Sequence, residues 1–123
     1  MLVAFSIAPA GTGESVTEAV ADAIRVVRAS GLPHHTDPMF TTIEGDWEAC
    51  MDVVRRACEA VALHSARVSL VLKADIWAGH SGEMQAKLER LEAALAGDPV
   101  PGEPGDAPAE AGPSEAGARA PEG

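Results

Sequence analysis

Hydrophobic and polar positions along the chain follow two rhythms, and the switches between them mark the elements. Residues 2–9 (LVAFSIAP) alternate bulky Val3, Phe5 and Ile7 with small Ala4, Ser6 and Ala8. That is the period of a strand with one face on a core and one face that permits close approach. Ala10-Gly11-Thr12-Gly13 follows as a turn. Ser15 and Glu18 have the spacing of a capping box, in which the hydroxyl takes the third amide and the carboxylate returns to the first. Val16, Val20, Ile24 and Val27 then recur at helical spacing until Gly31 and Pro33 stop the run, predicting a helix over 15–30.

The second half repeats the alternation. His34 to Met39, broken by Pro38, predicts a weak strand at an edge, where proline is tolerated. Phe40 to Glu44 is a better strand, rich in β-branched residues. Gly45-Asp46 ends it, and Asp46 can cap a helix over 47–63 with Trp47, Cys50 or Met51, Val54, Cys58 and Val61 as its buried stripe. Residues 67–75 (RVSLVLKAD) form the clearest strand, and after a loop over 76–82 Met84, Leu88, Leu91 and Leu95 mark a final helix over 82–96. The order is β-α-β-β-α-β plus a helix, an α+β ferredoxin-like sandwich. Two helices cover the face lined by Val3, Phe5, Ile7, Val68, Leu70 and Leu72. The opposite face carries Ala4, Ser6, Ala8, Ser69, Val71, Lys73 and Asp75. An open face that mixes small, apolar and charged groups is a candidate interface or ligand floor.

Composition narrows the picture in three ways. The chain has 123 residues and a net charge of −10, but residues 97–123 hold six of the 19 acids, one of the nine bases, six of the nine prolines and six of the 12 glycines. Such a segment buries too little apolar surface to offset its ordering entropy, so it is expected to be a disordered acidic tail behind a domain of residues 1–96. A net negative chain disfavours nucleic acid, whose binding rests on clustered Lys and Arg. No apolar run reaches the roughly 20 residues that span a bilayer, and the start lacks the basic n-region of a signal peptide, so no membrane partner and a cytoplasmic location are expected. Cys50 and Cys58 match no metal spacing and lie too far apart on one helix for a disulfide; they read as two reduced thiols packed as small hydrophobes.

Three separated motifs carry a resemblance. Phe5 to Val16 (FSIAPAGTGESV), Asp37 to Asp46 (DPMFTTIEGD) and Leu72 to Asp75 (LKAD) resemble, in order and in the expected elements, the F-S-x-x-P-x-G-T-G-x-S-V, T-P-M-G-T-x-I-E-G-D and I-K-I-D-D-R signatures of the small thiamine-binding proteins of the YkoF-like type. The resemblance covers roughly residues 1–77. It implies a ferredoxin-like subunit, self-association to a dimer or tetramer through the sheets, and binding of thiamine or its hydroxymethylpyrimidine part as a ligand. It implies no catalytic residue, cofactor or metal. Three positions depart from the pattern. Phe40 replaces a glycine and narrows a pocket, Asp37 replaces a threonine, and Ile76-Trp77 replace the Asp-Arg pair. These bear on ligand identity more than on fold.

The ligand-binding residues so implied are Ser6, Thr41, Thr42, Glu44, Lys73 and Asp75. Each has a plainer reading. Ser6 is either a small residue for close subunit packing or a hydroxyl facing a pyrimidine. With Ile43 in the core, alternation sends Thr42 and Glu44 to the open side and Thr41 to the core side. Glu44 is then a solvated strand-end charge, or a carboxylate that accepts from an exocyclic amine or faces a cationic thiazolium. Lys73 and Asp75 form a solvated or intersubunit ion pair, or orient a ligand in a mostly apolar pocket. His34 and His35 point to opposite faces and cannot share a metal, while His64 and His80 stand alone. Trp77 is a surface hydrophobic anchor or an intersubunit contact, or less plainly a stacking platform that stands in for the absent Asp-Arg pair. Two further readings compete with ligand binding: an oligomeric module of the same fold that has lost its ligand, and a small enzyme, for which the sequence offers no Ser/His/Asp or Cys/His arrangement with plausible geometry, no phosphate loop and no metal set.

Overall fold

The structure, a computed structural model, describes residues 1–11 and 16–98. The expected Ser15 cap, the second half of the first turn and the tail from Pro99 onward lie outside the described residues. The element order is β1 (Leu2–Pro9), α1 (Val16–Ala29), β2 (His34–Thr36), β3 (Thr41–Glu44), α2 (Trp47–Ala62), β4 (Val68–Asp75) and α3 (Glu83–Ala96). The strands form one antiparallel sheet in the order β2-β3-β1-β4, the ferredoxin-like arrangement. Asp46 caps α2 by accepting from the Ala49 amide at 2.7 Å. Pro38 falls just beyond β2, which ends at Thr36.

The core is mostly aliphatic around one aromatic ring, Phe5, and β1 lies at its centre. Val3, Phe5, Ile7 and Ile43 meet Ala19, Ala23 and Val27 of α1 and Cys50, Val53, Val54, Ala57 and Val61 of α2. One expectation changes here. Val16 is exposed, and Val20 and Ile24 are only half-buried, so the buried stripe of α1 is Ala19, Ala23 and Val27. Small side chains let α1 approach α2 closely, and this packing outweighs the larger residues' preference for burial. The larger residues sit on the flank of the helix, where Val20 and Ile24 line surface grooves. In α2, Trp47 is exposed and Cys58 half-buried, while Val53 and Ala57 join the stripe. At the sheet edge, β4 is covered only in part. Val68, Leu72 and Ala74 pack on the core, whereas Leu70 is open. Burial pushes both thiols, Cys50 and Cys58, above the ordinary cysteine range. Among the described residues no helix is long and apolar enough to cross a membrane.

α3 is different in kind. It has no buried residue, and Leu88, Leu91 and Leu95 are exposed. It is held to the face of the sheet opposite α1 and α2 by polar contacts at its first two turns.

Candidate functional site

Register fixes the open face residue by residue. Leu2 lies between Glu44 of β3 and Asp75 of β4, Ala4 lies between Thr42 and Lys73, and Ser6 lies opposite Val71. On the outer side of β3, His35 pairs with Thr42 while His34 pairs with Ile43. The two histidines therefore point to opposite faces, as alternation requires. His35, Thr42, Ala4 and Lys73 form one continuous row across four strands. The small Ala4 at its centre leaves a shallow floor between polar groups.

The six implied ligand residues do not share one pocket. Thr42, Lys73 and Asp75 line a depression of about 170 Å³ together with Leu2, Ala4 and Lys87. Ser6 and Thr41 line a separate one of about 160 Å³, bounded by the Asp37–Phe40 turn and by Val20 and Ile24. Thr41 is buried on the core side, with its hydroxyl 3.2 Å from that of Thr36. Glu44 borders two larger clefts. One, about 450 Å³, runs along Met1, Gly45 to Trp47 and the Ile76–Ser81 loop. The other, about 440 Å³, opens between β2 and α3 and is lined by Pro33, His34, His35, Gly82, Met84, Gln85 and Leu88.

Glu44 is the most constrained of these groups. It is 8% exposed, and the amides of Glu83 and Met84 donate to its Oε2 at 2.8 and 3.2 Å. The reason lies in the sequence of α3. Its N-cap is Gly82, in a left-handed conformation (φ 71°) and without a side-chain acceptor. The orphan amides of the first turn therefore take a carboxylate from the sheet, where the helix dipole also favours negative charge. The reading of Glu44 as a solvated strand end is thereby corrected: it is a buried acceptor that fastens α3. Among the described residues its side-chain hydrogen bonds fall on Oε2, which leaves Oε1 without a partner there.

One turn along α3, Lys87 donates to Asp75 Oδ2. This hydrogen bond, aided by the Lys87 and Lys73 charges, holds the Asp75 carboxyl below the ordinary aspartate range. Asp75 thus pairs with α3, not with Lys73 two residues before it. Trp77 also has an internal partner. Its ring stacks on His80 with centroids 3.7 Å apart and planes 12° apart, and the Arg90 guanidinium lies 5.5 Å from its centroid. Arg90 in turn bonds Glu83 at 2.7 Å, with both side chains 13% exposed. The surface-anchor reading of Trp77 fits this arrangement, since the ring anchors the β4–α3 loop. Sequence reasoning missed His35, Met84, Gln85 and Leu88 as neighbours of Glu44. Alternation from Thr42 back through β2 pointed to His35, but nothing periodic pointed to α3 lying across this face.

The thiamine-binding protein family profile matches residues 3–92. The chain belongs to this family. A UPF0045 protein of Mycobacterium bovis is 55% identical over 93 residues, spanning 75% of this chain and 91% of the relative. A counterpart in Mycobacterium tuberculosis is equally similar, at 55% over 93 residues with the same coverage. Among solved structures, a hypothetical protein of Methanocaldococcus jannascii superposes with a TM-score of 0.68 at 30% identity, covering 74% of this chain and 94% of the other. A provisionally described thiamine biosynthesis/salvage protein of Thermotoga maritima gives 0.62 at 27% identity, covering 72% and 97%.

The geometry explains much of what this thiamine-binding family member shares with the pattern. In the Ile43-Glu44-Gly45-Asp46 quartet, Ile43 is core, Glu44 fastens α3 and Asp46 caps α2. Gly45 sits where a side chain would be tight. A Cβ there would stand 3.3 Å from Leu32 Cδ2 and 3.4 Å from Cys50 Sγ, and the same residue's carbonyl accepts from the Met1 ammonium at 2.7 Å. Asp37, where the pattern has threonine, does a job open to both side chains. Its Oδ1 accepts from the Met39 and Phe40 amides, each at 2.8 Å, and closes the turn.

Proposed function

We propose that this protein binds thiamine or its hydroxymethylpyrimidine part, without chemistry, on the open sheet face at an interface between copies of the chain. The observation that carries this reading, beyond family membership, is Glu44. A carboxylate more than nine-tenths buried, with one oxygen uncommitted among the described residues, borders two clefts of about 440 and 450 Å³, within the size range of small-molecule sites. In this reading Glu44 accepts from the exocyclic amine of the pyrimidine. Thr42 adds a hydroxyl, Thr41 holds the β3 backbone in place, and Lys73 and Asp75 orient the rest of the ligand, while Ser6, which lines a separate depression, serves close packing between copies. Self-association accounts for the leucines of α3 and for Val71, which leave apolar surface exposed on the same side of the sheet.

A second reading, an assembly module of the same fold without ligand, is favoured by one observation. The depression beside Ser6 and Thr41 is bounded by Phe40 and holds only about 160 Å³. Calorimetry of the full chain with thiamine and with hydroxymethylpyrimidine separates the two. The binding reading expects saturable heat with at least one of them. No heat at millimolar concentration of either ends it, and a Phe40→Gly variant that gains binding then supports the second reading.

A further inference from the structure

The geometry points to the groove between β2 and α3 as the seat of the ligand's amino-heterocycle, with His35 as a recognition residue that selects it. This inference rests on the binding reading above and deepens it. The groove has the parts that a flat, aminated nitrogen ring needs. Pro33, Met84 and Leu88 supply apolar walls against ring faces. Glu44 supplies an acceptor, Oε1, held in place because Oε2 is fixed by the α3 amides. An acceptor without conformational freedom costs little to order on binding.

His35 supplies the complement. It stands across from Thr42 on the open face, two residues along the register from Glu44, and makes no side-chain hydrogen bond to another described residue. Its neighbour His34 is engaged, with Nδ1 2.9 Å from the Leu32 carbonyl oxygen. A neutral imidazole donates from one ring nitrogen. A ring nitrogen beside an exocyclic amine is an acceptor next to a donor, and an imidazole N–H beside a carboxylate is the matching pair. Gln85 also lines the groove; one hydrogen of its amide nitrogen goes to Glu89 at 2.8 Å, which leaves its carbonyl oxygen and its second N–H for a ligand. A ligand with the opposite edge, an exocyclic carbonyl beside a ring N–H, would set its oxygen against the Glu44 carboxylate and be rejected.

The test is titration calorimetry of the full chain and three variants with hydroxymethylpyrimidine and thiamine as probes. His35→Ala is expected to weaken both ligands about tenfold, the worth of one hydrogen bond, because both carry the same pyrimidine. His35→Gln, which keeps a donor, is expected to recover most of that loss, a recovery a merely structural role would not give. Leu88→Arg, at a 62% exposed position, is expected to block both ligands while its far-ultraviolet circular dichroism stays that of the wild-type chain. Wild-type binding with unchanged affinity in His35→Ala and Leu88→Arg overturns the groove. A loss confined to thiamine places His35 at the second ring and overturns its assigned role. Absence of wild-type binding to either probe overturns the parent reading and this one with it.

Discussion

At the scale of single residues, the departure from the family pattern at Asp37 is conservative in chemistry. Its carboxylate accepts first from the Phe40 amide and then from the Met39 amide, and these bonds hold it below the ordinary aspartate range. The sign of the consequence follows from linkage. A carboxyl whose folded pKa lies below its unfolded value contributes stability that is complete above the unfolded value and is lost as pH falls through the folded one. The Asp37–Phe40 turn is therefore expected to stay closed down to the ordinary value of 3.8 and to loosen only below it. Amide chemical shifts of Met39 and Phe40 followed through an acid titration check this. An Asp37→Asn variant, which keeps the acceptor but not the proton site, is expected to flatten the profile. Amide shifts that move between pH 5 and 7 in the wild-type protein would count against the assignment. The turn matters because it carries Phe40 and forms one wall of the depression beside Ser6.

At the scale of elements, all seven were legible from the chain, because each rests on a local rhythm. Val3, Phe5 and Ile7 alternate, Asp46 precedes a helix, and Gly31 with Pro33 ends one. The face of α1 was not legible. Pattern reading assigns the core to the bulkiest stripe, yet Ala19 and Ala23 are fully buried and Val16 is 47% exposed, since contact between helices rewards close approach as well as volume. The docking of α3 was also hidden. It depends on a hydrogen bond between residues 39 positions apart, which no periodicity encodes. Removing that acceptor is expected to release the helix start while sparing the core. Glu44→Ala strips the first-turn amides of their partner and of a favourable charge at the dipole, a loss of about 1–2 kcal/mol in a partly buried setting. Hydrogen exchange reads it directly. Protection of the Glu83 and Met84 amides should fall, while Val54 and Ala57 in α2 keep theirs. Equal loss everywhere would mean that Glu44 supports the whole fold instead.

At the scale of the whole molecule, half of the net charge of −10 lies in residues 97–123, and several of the other acids are neutralised by arginines on helix surfaces. Arg55 bonds both Asp52 and Glu59, and Arg56 also reaches Asp52. Overall charge therefore says little about the ligand, and the informative surface is apolar. Leu88, Leu91 and Leu95 are 62%, 54% and 73% exposed along one helix. Val71, 57% exposed, lies on the open face to which that helix is fastened. A helix held to its own sheet by polar contacts, with spaced leucines left uncovered, has the form of one side of an interface. If copies of the chain associate through it, a single charge at the centre of the stripe should separate them. Leu91→Asp is expected to sediment as a monomer at concentrations where the wild-type chain sediments as a dimer or tetramer. Its far-ultraviolet circular dichroism should be unchanged, because Leu91 contributes nothing to the buried core. A wild-type chain that sediments as a monomer at high concentration would refute association through this face. An unchanged oligomer in Leu91→Asp would move the interface to the uncovered strand face around Ala8, Ser69 and Val71.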